Sequence, residues 1–348
     1  MKRMFGKKTL FIIGAGASAE LGFPLGYGLA KLIQQNTSIY PRQGGLPDGP
    51  GTILMMALGG SSPGTYTDNQ LLTAARILNR GVTYNASIDD FLSVHAQSDE
   101  VVKMGKVAII QAILNAERNS KLDTVIDDKQ LLNTSRLEET WLLQLSQILL
   151  RGHTRDTVQN VFNNVAFVTF NYDRSLEIFL IHALKDGFAI KSEDACEIVK
   201  QATIIHAYGA VGNLPGLAPT NLVAFGSNRE IRELANTDSI QTYSESAADP
   251  KPIHEEIEKA EQVVFLGFAF HPQNMALLKP QPLQSPKTFI ATTHGMSELD
   301  VTWAAGALRS YFGQPIQGQI DNGRTFFHPS AVKCAELMSR YALTLGQR

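Results

Sequence analysis

The run Thr9–Ile13 passes directly into Gly14, Ala15, Gly16, Ala17 and Ser18, and this junction constrains the fold more than any other segment. A continuous apolar run has no solvent face, which is the signature of a strand buried on both faces of a parallel sheet. Small residues then turn the backbone, and a helical pattern resumes from Gly28 to Gln35. Two readings fit such a strand–turn–helix unit. It is either a cradle that brings backbone N–H groups to a pyrophosphate, or a tight structural turn. The match to G-x-G-x-x-G is incomplete: Ala19 stands where the third glycine would fall. No second strand ending in an acidic residue follows about 20 positions later.

Strand patterns return at Val165–Phe170, Ala202–His206, Leu222–Ala224, Gln262–Leu266 and Thr288–Thr292, separated by helical stretches at Arg174–Lys185, Pro252–Glu261 and Glu298–Tyr311. This alternation predicts an α/β fold, a doubly wound parallel Rossmann-like sheet. Between them lies a large helical insertion. Residues 37–67 are rich in Gly, Pro and Ser and read as a long loop, either a gate or an inert surface insertion, with a short helix at Thr52–Leu58. Helices are expected at Asn69–Arg80, Ser87–Gln97, Glu100–Ser120 and Ser135–Leu150. Ser87, Asp89 and Asp90 supply N-cap and first-turn chemistry for the second of these. The expected organisation is one domain over 1–348. Residues 37–160 would cap a core made of 1–36 and 161–320, and 321–348 would close the fold with a helix at Ser330–Leu343.

Composition narrows the function. With 31 basic and 33 acidic residues the net charge is -2, so no global field draws nucleic acid. Cys196 and Cys334 form no C-x-x-C pair, and the histidines show no ligand spacing, so no metal is expected. The basic start and short apolar run read as a leader and buried strand rather than a secretory signal. No stretch reaches the ~20 apolar residues of a membrane span. A cytoplasmic protein without direct nucleic-acid or membrane binding is the expectation.

Three further segments carry candidate chemistry at strand ends, where α/β folds build their sites. Asn171 and Asp173 follow the second strand; they either cap the helix after Arg174 or face the cleft, and both roles are compatible. His206 ends another strand and is suited to proton transfer near neutral pH, although a lone histidine is more often a packed one. Gly267 allows close backbone approach after the run Val263–Leu266; Phe268 and Phe270 flank the turn as core or as cofactor wall, and Asn274 is placed to hydrogen-bond there. His294 is a secondary cleft candidate that reads as structural.

In this order the four segments resemble the sirtuin superfamily. Gly14 to Ser18, followed by Gly22 and Pro24, is similar to its first NAD-binding loop; Thr169 to Asp173 to its asparagine loop; His206 before Gly209 to its catalytic histidine; Gly267 to Phe270 to its adenosine loop. The likeness covers about residues 9–300. Between His206 and Val263 there is no cysteine, so the zinc module of the deacetylases is missing. Leu25, Gly26 and Tyr27 replace the trio that follows their proline, and the helical block is longer than in a compact deacetylase. The pattern is closer to sirtuin-like NAD hydrolases of bacterial antiviral defence, whose helical insertion carries an acidic segment similar to Ser87–Leu92. The resemblance implies NAD as substrate, with Asn171, His206 and Asp173 as catalytic residues. Gly14, Ala15, Gly16, Ser18, Pro24, Gly267, Phe268 and Asn274 would bind the dinucleotide. It also implies a homo-oligomer or control by a partner ATPase, helicase or Argonaute-type protein. Three rivals stand beside the hydrolase: an NAD- or ADP-ribose-sensing subunit, a protein ADP-ribosyltransferase or deacylase, and an interaction subunit whose main task is assembly.

Overall fold

A computed structural model describes residues 5–40, 48–61, 64–123, 132–227, 234, 236–243, 245, 249–279, 287–312 and 327–346. Six strands form one parallel sheet: β1 Thr9–Ile13, β2 Val165–Thr169, β3 Thr203–His206, β4 Gln262–Leu266, β5 Thr288–Thr292 and β6 Phe327–Ser330. Their order is β3-β2-β1-β4-β5-β6. This is the order of a doubly wound Rossmann-like sheet, with its topological switch between β1 and β4. β1 pairs with both neighbours along its whole length, placing Ile13 beside Thr169 on one side and Leu266 on the other. All three strands therefore release their following loops at one level.

Successive side chains of a strand alternate between faces, and each face has its own apolar cluster. Leu10, Ile12, Val168 and Phe265 pack with α2 Gly26–Asn36, α3 Gly51–Ser61, α4 Asp68–Gly81, α5 Ile88–Val94 and α6 Asp99–Asn119. Phe11, Ile13, Phe167 and Leu266 pack instead with α7 Trp141–Leu149, α8 Ser175–Phe188, α9 Ser192–Val199 and the helix Cys334–Arg340. Much of the helical block between β1 and β2 thus shares one continuous core with the sheet. Fully burying a side chain such as Phe11 or Phe265 is worth about 1.5–3 kcal/mol, so the insertion is held by the same force as the sheet.

One buried ion pair fastens α6 to the rim of β2. Arg174 donates through Nε and Nη2 to the two carboxylate oxygens of Glu117, at 3.0 and 2.6 Å. Its Nη1 also reaches the Val223 carbonyl at 2.5 Å, and Nη2 the Ala224 carbonyl at 3.2 Å. Those contacts explain one correction. Leu222–Ala224 does not add a strand to the sheet: Leu222 makes only an isolated bridge to Asn213, and the next two carbonyls serve Arg174.

Other boundaries also differ from expectation. The residues expected to form Ser135–Leu150 split into a 3-10 turn, Thr134–Leu137, and α7, because the Glu20 carboxylate accepts from the Trp141 amide and fixes the helix start there. α3 is longer than the short helix expected, and residues 41–47 and 62–63 of that loop lie outside the described residues. β6 and α9 are additional elements. Pro329 sits within β6, tolerated because β6 is an edge strand. The closing helix accordingly starts at Cys334 rather than Ser330, and a short turn of helix at Ala342–Leu345 follows it. Residues 321–326 and 347–348 of the expected closing segment lie outside the described residues. No helix among the described residues is long and apolar enough to cross a membrane.

Candidate functional site

The loops leaving β1 and β4 interlock by their backbones. The Gly14 amide donates to the Leu266 carbonyl and the Gly16 amide to that of Gly267, both at 2.9 Å. The Gly267 amide donates to Thr292 Oγ1 at 2.7 Å, tying in β5. Side chains have no room at this crossing: a Cβ on Gly14 would lie 2.6 Å from the Gly267 oxygen, and one on Gly267 only 2.1 Å from the Ala17 nitrogen. Gly267 also has φ of 59°, in the left-handed region that favours glycine. These glycines are therefore required by loop-on-loop packing. The helix after the turn, α1 Ala15–Ala19, is only five residues long, so its dipole is a weak anion trap.

Above the crossing lies a cavity of about 750 Å³, within the range of small-molecule and cofactor sites. Its wall takes residues from the ends of β1, β2, β4 and β5, at the switch point where open α/β sheets bind ligands. Gly14, Ala15, Gly16, Ser18, Pro24, Asn171, Asp173, Gly267, Phe268 and Asn274 all line it. His294 lines it too, exposed at the rim.

A directed chain of hydrogen bonds joins three of these side chains. Asn171 Nδ2 donates to the Gly14 carbonyl at 3.0 Å and to Ser18 Oγ at 2.8 Å. Ser18 Oγ donates in turn to Asp173 Oδ2 at 2.7 Å. Because one partner of Nδ2 is a carbonyl, the amide orientation is fixed: both its hydrogens are spent on protein, and Oδ1 is the atom left to accept from a ligand. Ser18 is similarly committed, so it positions Asn171 and Asp173 rather than offering its hydroxyl to a phosphate. Asp173 Oδ1 accepts from the Ser175 amide at 3.1 Å, joining the start of α8 to the site. Burial raises the Asp173 carboxyl above its ordinary value, against the lowering pull of those hydrogen bonds.

His206 is placed differently from the expectation. It is not part of the cavity wall. Its Nε2 lies 2.7 Å from Glu177 Oε1 and its Nδ1 lies 3.1 Å from the Asn171 carbonyl. Burial alone would lower the imidazole, but the Glu177 charge and hydrogen bond, the Asn171 carbonyl and the Asp173 charge together outweigh it and hold the ring above its ordinary value. Burial alone would raise Glu177, and His206 holds it below the usual carboxylate range. Both ring nitrogens face protein oxygens, an arrangement that the protonated imidazole satisfies fully. Through Nδ1 the ring supports the backbone of Asn171 from behind. The cause is the direction in which the last residue of edge strand β3 turns, toward Glu177 on α8.

Tyr208, two residues on, reaches the cavity instead. Its hydroxyl donates to Asn274 Oδ1 at 2.7 Å, so Asn274 is held by the loop after β3. Phe268 lines the cavity yet is 3% exposed, packed against Phe170, Phe265 and Phe270. It is wall and core at once.

Asp89, on α5 of the insertion, also lines the cavity and accepts a hydrogen bond from the Tyr172 hydroxyl. Burial pushes its carboxyl up to about 6, although the Tyr172 bond pulls the other way. Burial, then the Asp89 charge, raises both Tyr172 and Tyr208 above the ordinary phenol value. Sequence reading assigns Asp89 to the first turn of a helix; its second role depends on a contact across 83 residues of chain that no local pattern encodes. For Tyr208 the available signal is Gly209 with its φ of 73°, which marks a turn that carries the preceding side chain over the sheet rim. Among the described residues no group of three or more His, Cys, Asp or Glu side chains is placed to hold a metal ion. Comparison with protein-family models returned no match, and none came from curated proteins.

Proposed function

We propose that this chain binds NAD across the cavity at the β1/β4 switch point and hydrolyses its nicotinamide–ribose bond. The observation that carries this reading is the Asn171–Ser18–Asp173 chain, anchored on the glycine crossing and meeting the cavity with a single acceptor, Asn171 Oδ1. Nicotinamide in NAD is already cationic, so it departs with the bonding electron pair and needs no proton. What the protein must supply is placement of the ribose and of a water. Asn171 Oδ1 accepts from a ribose hydroxyl or from that water; the water oxygen bonds to the ribose carbon as the ring–sugar bond breaks, and the proton it sheds passes to solvent water. Holding the reactants in line is worth several powers of ten in rate.

The glycine crossing supports placement of the pyrophosphate midway, with the adenosine toward Thr292 and His294. His206 enters as a positioning residue, through the Asn171 carbonyl. That placement also favours a second reading, an NAD-sensing subunit without turnover, since both ring nitrogens are engaged by protein and the ring lies off the cavity wall. The resemblance extends the proposal to a cytoplasmic defence protein that depletes NAD, regulated by self-assembly or by a partner ATPase, helicase or Argonaute-type protein.

Purified protein incubated with NAD, its products resolved by chromatography, tests the reading. Nicotinamide and ADP-ribose in equal amounts, lost in Asn171→Ala, are expected. Turnover retained in full by Asn171→Ala overturns the assignment of the site, and binding without any turnover selects the sensor.

A further inference from the structure

Charge is unevenly spread along the cavity wall, with Lys333 and Glu20 near one another at one end. Lys333, the single Lys or Arg of its wall among the described residues, follows β6. Asp89 lies at the other end, bonded to Tyr172 just after β2. The two strands are four inter-strand spacings apart in the sheet order, about 19 Å. Each of the other two carboxylates of the wall is held by backbone amides: Glu20 by those of Trp141 and Ala335, and Asp173 by that of Ser175. Asp89 accepts from the neutral Tyr172 phenol and from its own backbone amide, and from no Lys or Arg side chain among the described residues.

Tyr172, Asp90 and His271 act on its charge, and its charge acts in turn on Tyr208; none of them is Lys or Arg. His271 is nearer to Asp90, at 3.7 Å from Oδ2. A carboxylate in the first turn of a helix is ordinarily a dipole partner, but Ser87 already receives the Asp90 amide there. A half-buried carboxylate on a largely apolar wall, with His271 shared with Asp90 and no Lys or Arg beside it, is costly unless a ligand brings further positive charge.

We propose that Asp89 is the counter-charge for the cationic pyridinium end of the dinucleotide, so that the site selects oxidised NAD over its neutral reduced form. This rests on the NAD reading above. A dinucleotide matches the cavity end for end: anionic pyrophosphate toward Lys333 and the glycine crossing, cationic ring toward Asp89. When the ring leaves, its positive charge passes to the ribose, so the same carboxylate also favours the developing cation.

The experiment is titration calorimetry of the full chain with three ligands: a carbocyclic NAD+ analogue whose ring–sugar bond resists hydrolysis, NADH, and ADP-ribose. Wild type, Asp89→Asn and Asp89→Glu are compared at about pH 7.5 and about pH 5. The wild type is expected to bind the oxidised analogue about tenfold more tightly than NADH at the higher pH, as for one partly screened charge pair. The ratio should fall to about one in Asp89→Asn, persist in Asp89→Glu, and shrink at the lower pH in wild type and Asp89→Glu but not in Asp89→Asn. ADP-ribose affinity should stay within about twofold throughout. An Asp89→Asn protein that keeps the tenfold ratio overturns the inference, as does a wild type that binds both forms equally while binding ADP-ribose. A wild type that binds none of the three overturns the dinucleotide reading itself, and the inference with it. Persistence of the pH effect in Asp89→Asn assigns it to His271 or Asp90 and counts against Asp89.

Discussion

The loops after β1 and β4 meet through backbone atoms, whereas those after β2 and β3 meet the cavity through side chains. At the first crossing Gly14, Gly16 and Gly267 leave no space for a single methyl group. At the second, Asn171, Asp173 and Tyr208 are held by hydrogen bonds to particular partners, with His206 engaged behind them. Substitution at the first should therefore act on folding and at the second on chemistry. The difference separates the scaffold of the site from its reactive edge.

The sharpest way to break that division is Gly267→Ala. A Cβ there meets Ala17 N and two atoms of Gly16 at 2.6 Å or less, in a left-handed backbone. Overpacking plus strain predicts a loss of about 3 kcal/mol or more, read as a lower urea midpoint. Asn171→Ala should do the reverse: a fall in NAD turnover of at least about 100-fold, equivalent to ~2.7 kcal/mol, with a stability change near 1 kcal/mol. Equal effects on folding from both variants would erase the distinction.

His206→Asn tests the intermediate case. The folded imidazole titrates above its unfolded value, so its contribution is full below about pH 6.5 and fades as pH rises through the folded value. Glu177 is shifted down, so its share is present above about pH 4.5 and is lost as pH falls through its folded value. The stability gap between wild type and variant should thus be widest, at about 2 kcal/mol, in mildly acidic to neutral solution. Denaturant melts across that range locate it; a gap that grows toward alkaline pH would show that the pair is not ionised. Smallest, and opposite in sign, is Gly306→Ala on the helix Glu298–Tyr311, where a Cβ meets nothing within 4 Å. A gain of about 0.5–1 kcal/mol is expected in the same melts.

Sequence reading recovered the scaffold better than the edge. β1, β4 and β5 were bounded to the residue because buried parallel strands are apolar end to end, and the glycine turns announce themselves by composition. Leu222–Ala224 resembled such a strand but is tied to Arg174, a tertiary contact. β6 was hidden because an edge strand tolerates Pro329. At the reactive edge, position at a strand end indicates nearness to the cavity and nothing about which way a side chain turns. His206 and Tyr208 exchange places for that reason, and Asp89 is joined to Tyr172 only after α5 docks.

The crossing of Gly14–Gly16 with Gly267 joins segments some 250 residues apart. During synthesis Gly14–Gly16 waits for its partner until some 250 further residues have been made. Until then the wall that the two loops share is not assembled, whatever the state of the asparagine loop. Any chemistry proposed for this cavity is thereby tied by chain order to the completion of β4 and its glycine turn.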